Sequence, residues 1–570
     1  MIWPHAYDPF GNAFVSTVVA AVPIVLLLGL IAVWQVRIHL AATIALAAAM
    51  VIAVAGFGMP ITAVVATSVY GAAYGLFPIG WIILNLIFLY SLTVRKGLFD
   101  ILRQHLAHVA PDPRVQVVLI AFAFGAFFEG AAGFGTPVAV TSAILMQLRF
   151  PPLLACGLSL IANTAPVAYG ALGTPIITLA AVTGLDLFEL SAMAGRQLPF
   201  FSVLVPFWVV WALAGWRGML GVWPVALTAG VAFAVPQYLV SNFHGPWLVD
   251  IVAALSSMGA VAILLTWWQP REVWELPTRE RAPLAGVHGG ERQRDGASGD
   301  VSAAGGASGR PPREAVIRAW VPWIVLSVVV FAWGLPQAKR VLDATHRPTF
   351  EVAGLHQLVQ RVPPVAPEGA APEAAIYTLN YLSATGTGIL VSAILAGFVM
   401  GYRPREMARV YAETLVTVRY SLITIAAMLA LGYVTKYSGA DATLGLALAR
   451  TGSFYPFFGT LLGWLGVALT GSDTASNVLF GSLQRITAEQ VGVSPVLMAA
   501  ANSTGGVMGK MVDAQSIVVA STATNWYGHE GEILRWVFLH SLALAVLMGL
   551  LVYLQAYVPP FTRMVVGSGL

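Results

Sequence analysis

The chain has 570 residues, of which 58% are hydrophobic and 10% charged, with a formal net charge of +4. A soluble domain is nearer a quarter charged, so a water-soluble fold of this size has too little polar side chain to form its exterior. The basic residues fall in loops and build no basic face with aromatic platforms, which argues against a nucleic-acid binder, and a single cysteine, Cys156, excludes a disulfide framework or a thiolate metal site.

In chain order, Met1 to Phe10 lacks the positive region of a signal peptide, and Ala13–Trp34 is long enough to span, so it reads as an uncleaved first helix. Apolar runs continue at Leu40–Gly58, Ile61–Val94, Val115–Leu148, Leu153–Leu185, Leu198–Trp216, Met219–Val240 and Trp247–Trp268. Gln269–Pro312 is a loop with six arginines and a flexible Gly/Ser/Ala-rich centre. Its arginines place it in the cytoplasm. Further runs are Ala319–Leu335, Gly388–Tyr402, Leu415–Val434, Phe454–Leu483, Val496–Ala523 and Ile533–Tyr557. The intervening stretch Gln337–Thr387 is then periplasmic, and Arg403, Arg405 and Arg409 return the chain to the cytoplasm. With roughly 20 residues per crossing, the expectation is an all-α polytopic membrane protein of about 12–14 transmembrane helices. It divides into an N-terminal half (1–268), a cytoplasmic loop (269–316) and a C-terminal half (317–570).

The two halves look duplicated. Each has a Gly-rich apolar run with one carboxylate, then a run opening near Pro and holding Asn–Thr or Asn–Ser. Glu129 and Pro151 are 22 residues apart, as are Asp473 and Pro495, while the step from Pro to Asn163–Thr164 or to Asn502–Ser503 differs, 12 against 7. Paired interruptions of this kind point to two inverted repeats with broken or re-entrant helices and a binding site where the breaks meet. Gly133, Gly135 and Pro137 interrupt the first run, and Gly471 with the hydroxyl-rich Ser472–Ser476 interrupts the second. Half-helix N-termini created there favour anions.

Several polar residues stand inside these runs. Glu129 has no cation nearby in sequence, and a lone intramembrane carboxylate must be neutral, paired or wet; proton coupling and a permanently paired structural acid are the two readings. Asp473, among Thr470, Ser472, Thr474, Ser476 and Asn477, could carry a proton, help hold Na⁺, or cap a helix. Lys510 is one of four lysines and lies in a Gly-rich apolar run. It could meet a substrate carboxylate, pair with Asp513 on one helix face, or snorkel to the interface; Gln515 and Ser516, one turn on, favour the substrate. Arg419 is a second anion candidate or a positive-inside anchor, with Arg196 below it. Asn163, Thr164, Asn502 and Ser503 could bond a substrate hydroxyl or link helices. Gly509–Lys510 has no Walker pattern around it, the histidines show no metal spacing, and no nucleophile–base constellation appears. No enzyme, cofactor or metal is therefore expected, and energy must come from an ion gradient.

Gly125-Ala-Phe-Phe-Glu-Gly-Ala-Ala-Gly-Phe-Gly-Thr-Pro137 resembles the signature of the bacterial L-lactate permease family, as do Asn163-Thr-Ala-Pro-Val-Ala168, Ala194-Gly-Arg-Gln-Leu-Pro-Phe200, Gly463-Trp-Leu-Gly466 and Thr470-Gly-Ser-Asp-Thr474. Gly505-Gly506, Gly509-Lys-Met511, Gln515-Ser516 and Leu554-Gln-Ala-Tyr557 continue the likeness from about residue 10 to 560. The loop 269–312 and Asp513 depart from it. The resemblance implies a multi-pass inner-membrane lactate:proton symporter, with glycolate and D-lactate as further substrates. The substrate would meet Gly133, Gly135, Thr136, Ser472, Thr474 and Lys510.

Overall fold

The computed structural model describes residues 2–567 apart from 33, 35, 108–110, 132, 134, 135, 275, 277–311, 527 and 528. The Gly/Ser/Ala-rich centre of the long loop and Gly135 thus lie outside the described residues, as does the side chain of Thr136. The described chain is helical nearly throughout, with two two-stranded pairings outside the helices. Eight described helices are long and apolar enough to cross a membrane, and Pro152–Ala162 with Val167–Thr183 is a pair that is long and apolar enough together, bent by 64° at its break. Other apolar runs are shorter helices, among them Ala13–Leu27, Val249–Leu264 and Thr385–Val399. Fewer helices therefore pass as unbroken crossings than the hydropathy runs predict, because glycine and proline divide several runs.

The backbone shows where each division falls. Ile61–Arg95 is one span kinked at Phe77, whose extended φ/ψ precedes Pro78; the residue before proline is pushed out of the helical region. In the first half, Pro113–Ala131 and Thr136–Gln147 fold back on one another: a Cβ built at Gly125 would stand 3.2 Å from the Thr141 methyl. We call this the first hairpin. The second hairpin is Tyr455–Thr470 with Asp473–Val491, where Ser476 Oγ donates to the Gly463 carbonyl at 3.2 Å. Each hairpin is followed by a broken helix: Pro152–Ala162 with Val167–Thr183, then Pro495–Gly509 with Ala514–Ala523. The second hairpin and its broken helix are in close backbone contact. Gly463 faces the Asn502 carbonyl and Gly505 faces the Thr460 carbonyl, where no side chain would fit. Small residues are what allow such an approach between membrane helices.

The halves do not build separate cores, since one apolar cluster runs from Ile82 to Val565. Pro404–Ser438 packs on Ile38–Ala55 and Ile61–Tyr74, and Gly170–Thr183 packs on Asp473–Val491. Trp3–Pro4 pairs with Val359–Gln360, which puts the N-terminal residues on the same side as the Gln337–Thr387 stretch. Arg361 and Glu373 form an ion pair there, and His5 Nε2 lies 3.0 Å from the Tyr437 carbonyl.

Candidate functional site

Both hairpin tips and both helix breaks meet around a cavity of about 70 Å³. Pockets for drug-sized ligands run to roughly 300–1,000 Å³, so this one suits a ligand of a few heavy atoms. Its polar wall is Glu129, Ser472, Asp473, Thr474, Lys510 and Gln515, and its backbone wall includes Gly133, Gly170, Ala171 and Gly471. Gln515 is exposed, whereas Glu129, Asp473 and Lys510 are 4%, 3% and 5% exposed. The charged groups are inside the protein, so Lys510 does not snorkel.

Lys510 closes the first part of the second broken helix, and the chain restarts at Asp513, the N-cap of Ala514–Ala523. Lys510 Nζ donates to the Gly471 carbonyl at 2.6 Å and lies 3.5 Å from Asp513 Oδ2. Gly471, with φ +72°, ends Tyr455–Thr470 in the left-handed conformation that glycine adopts freely. The ammonium therefore meets the negative end of one helix, and Asp513, accepting from Ser516 N at 2.7 Å, meets the positive end of another. The Lys510–Asp513 pairing exists, but across a break rather than along a helix face. Ser472 caps Asp473–Val491, accepting from Ala475 N at 3.2 Å, so Asp473 is in the first turn and free of the capping role. Its Oδ2 accepts a hydrogen bond from Ser503 Oγ.

In the first half, Asn163 ends Pro152–Ala162 and donates to Glu129 Oε2 at 3.0 Å. The break that follows includes Ala171, Leu172 and Gly173, all with positive φ. Two non-glycine residues held left-handed store about 1–3 kcal/mol each, a strain that clusters at functional sites. A Cβ at Gly170 would stand 2.6 Å from Glu129 Oε1, so glycine there leaves room for the carboxyl group. Asn477 Nδ2 ties the two regions together by donating to the Pro175 carbonyl at 3.2 Å.

Other expected residues stand behind the cavity or away from it. Thr164 Oγ1 bonds its own helix at Ile161 O, 2.8 Å. Asn502 is buried in a network with Gln484 and Asn477 at 3.1 and 2.9 Å. Ser503 touches the site through Asp473, and Ser516 through its backbone bond to Asp513. Arg419 is not brought to the site. It is exposed on Pro404–Ser438, its guanidinium 4.7 Å from the Tyr420 ring, because it lies on the outward face of that helix. Arg196 likewise bonds Asn242 Oδ1 and the Met564 carbonyl, at 3.1 and 3.0 Å, outside the cavity.

Sequence reasoning passed over Asp250, a buried acid beside Gly130. It is the lone acid of Trp247–Trp268, and the signal that singled out Glu129, an acid inside an apolar run, could have found it. The left-handed stretch Ala171–Gly173 was marked in the sequence by Gly170, Gly173 and Pro175 and not by Ala171 or Leu172, which are helix formers.

Residues 16–559 match the family model described as L-lactate permease. The chain is 45% identical to the glycolate permease GlcA of Escherichia coli (strain K12), over 99% of each chain. It is 41% identical to the L-lactate permease of Bacillus subtilis (strain 168), over 98% of this chain and 99% of that one. Among solved structures it is similar to the Alcanivorax borkumensis YdaH transporter at 12% identity and a TM-score of 0.40, over 86% of this chain and 87% of that one. With its helices sized for a bilayer and its relatives named as permeases, this multi-pass membrane protein is a carrier rather than an enzyme, and it belongs to the L-lactate permease family.

Proposed function

We propose that the chain imports lactate, glycolate and related small 2-hydroxy monocarboxylates across the bacterial inner membrane by proton symport. The observation that carries this reading is the pairing of one buried cation with two buried acids around a cavity of a few-atom size. A monocarboxylate replaces the Gly471 carbonyl and Asp513 as the partner of Lys510, and the first-turn N–H groups behind Ser472 add a favourable field for the anion. Its hydroxyl meets Ser472, Thr474 or Gln515. Glu129 and Asp473 each have a neutral donor, Asn163 and Ser503, and neither has a permanent ion-pair partner among the described residues. Such an acid can gain and lose a proton without leaving a cation stranded. Residues 1–268 and 317–570 act as two repeats, each supplying one hairpin and one broken helix. No resident cofactor takes part, and the energy comes from the proton gradient.

A second reading, Na⁺ coupling, draws on the oxygen-rich surroundings of Asp473, where Thr470 Oγ1 lies 3.2 Å from the Ser472 carbonyl. Uptake of labelled lactate and glycolate into proteoliposomes separates the two. An imposed inward proton gradient should drive accumulation several-fold above equilibrium, with no added effect of Na⁺. Accumulation driven by Na⁺ alone transfers the coupling role to that ion, and uptake of neither acid overturns the substrate assignment.

A further inference from the structure

Asp250 lies in the first turn of Val249–Leu264 and is 1% exposed. Neither of its carboxyl oxygens makes a hydrogen bond to a described residue, and no ion pair among the described residues includes it. A carboxylate anion there has only the positive end of its own helix to offset its desolvation, with no cation or hydrogen bond from a described residue, whereas the neutral acid has much less to lose. A purely structural acid would be bonded to something, because buried polar groups that serve packing are satisfied.

Its position connects it to the transport site. A Cβ at Gly130, the residue after Glu129, would fall 2.7 Å from Asp250 Cβ, so glycine there brings this helix directly against the helix of Glu129. Glu129 is the ionisable residue of Gly125–Ala131, a helix packed directly on that of Asp250. Tyr169 is the other nearby ionisable side chain, and its hydroxyl is committed to the Ser191 carbonyl at 2.6 Å. Of the other elements packed on this helix, Val118–Phe124 and Gly170–Thr183 have no ionisable residue, and Tyr238 of Trp223–Phe243 is exposed. Asp250 and Glu129 thus lie buried on two helices in direct contact, where two like charges are costly to hold together.

We propose that Asp250 is a second proton-binding site, which hands its proton to Glu129 during the transport cycle. When Glu129 gives up its proton to water on the inner side, the O–H bond of Asp250 breaks as a new one forms on Glu129. Asp250 then takes a proton from hydronium of the outer solution, leaving water, so the pair is never left doubly charged. This rests on the proton-symport reading above.

The test uses the full chain in proteoliposomes with labelled lactate. In Asp250→Asn, which has the shape of the neutral acid but cannot give up a proton, pH-gradient-driven accumulation should fall at least tenfold. Lactate exchange at equal pH should fall less than threefold, and Asp250→Glu should recover part of the accumulation. Wild-type accumulation in Asp250→Asn overturns the proposal while leaving proton symport intact. Exchange lost along with accumulation, whatever Asp250→Glu does, shows a packing role and overturns it too. No pH-gradient drive in the unsubstituted chain defeats the symport reading, and this proposal with it.

Discussion

The two hairpin-and-break regions share a plan but hold opposite chemistry. In the first, the acid precedes the hairpin tip: Glu129 stands in the last turn of its helix, bonded by an amide and facing a wide break with left-handed residues 171–173. In the second, the acid follows the tip: Asp473 opens its helix, bonded by a hydroxyl, and the break is a short one from Lys510 to Asp513 whose charges match the helix ends beside them. Among the described residues, only the second region brings a cation to the cavity. On the function proposed above, one framework divides the work, the second break taking the anion and an acid of each region taking part in proton coupling, because a helix interruption frees backbone groups whatever residue occupies it.

That division can be broken by substitution. The largest effect is expected at Lys510: Lys510→Met removes the cavity's positive charge and leaves Asp513 buried without its partner, so lactate binding should weaken at least a hundredfold, with less change in the amount of protein recovered from the membrane. Unchanged affinity by binding calorimetry would move anion recognition away from the second break. Next comes Glu129→Gln, which keeps the hydrogen-bonding shape but not the proton. Accumulation against a pH gradient should disappear, with a smaller loss in exchange; full accumulation would remove Glu129 from coupling.

Gly170→Ala sharpens the comparison at the first break, since its methyl would press on Glu129 Oε1. Forcing an extra methyl into a packed site costs about 1–3 kcal/mol, and a roughly tenfold fall in uptake is expected, together with a lower melting temperature in detergent. A silent substitution there would mean that Glu129 has more room than the packing implies. The smallest effect is expected at Arg419→Gln, within twofold in uptake, because that guanidinium is exposed and lies against Tyr420. A large loss of lactate affinity there would return the surface cation to the binding scheme.

How far the sequence could be read depended on how local the cause was. Glu129, Asp473 and Lys510 were legible because an ionisable group well inside an apolar run is conspicuous. The break near Gly133–Pro137 was legible because glycine and proline punctuate helices through their own backbone geometry. For Thr164 and Asn502, by contrast, the sequence left bonding a substrate and linking helices both open, and in the structure they bond Ile161 and Gln484. Which way a helical side chain turns depends on neighbours brought from elsewhere. Arg419 stayed open between anion site and surface anchor for the same reason: a charge beside an apolar run reads alike whether its helix turns it inward or outward.

The amino-acid order by itself determined the membrane class, the helical content, the repeated acid-and-proline pattern and the family, since each follows from composition or from short stretches of contiguous residues. Only the tertiary structure decided that Glu129, Asp473 and Lys510 line one small cavity, that Asp513 pairs with Lys510 across a break, and that Asp250 lies beside Gly130. Those contacts join residues as many as 381 positions apart (Glu129 and Lys510) around one cavity. Packing between distant helices, where a missing methyl group sets how closely two backbones approach, is a property of the folded whole and not of any segment.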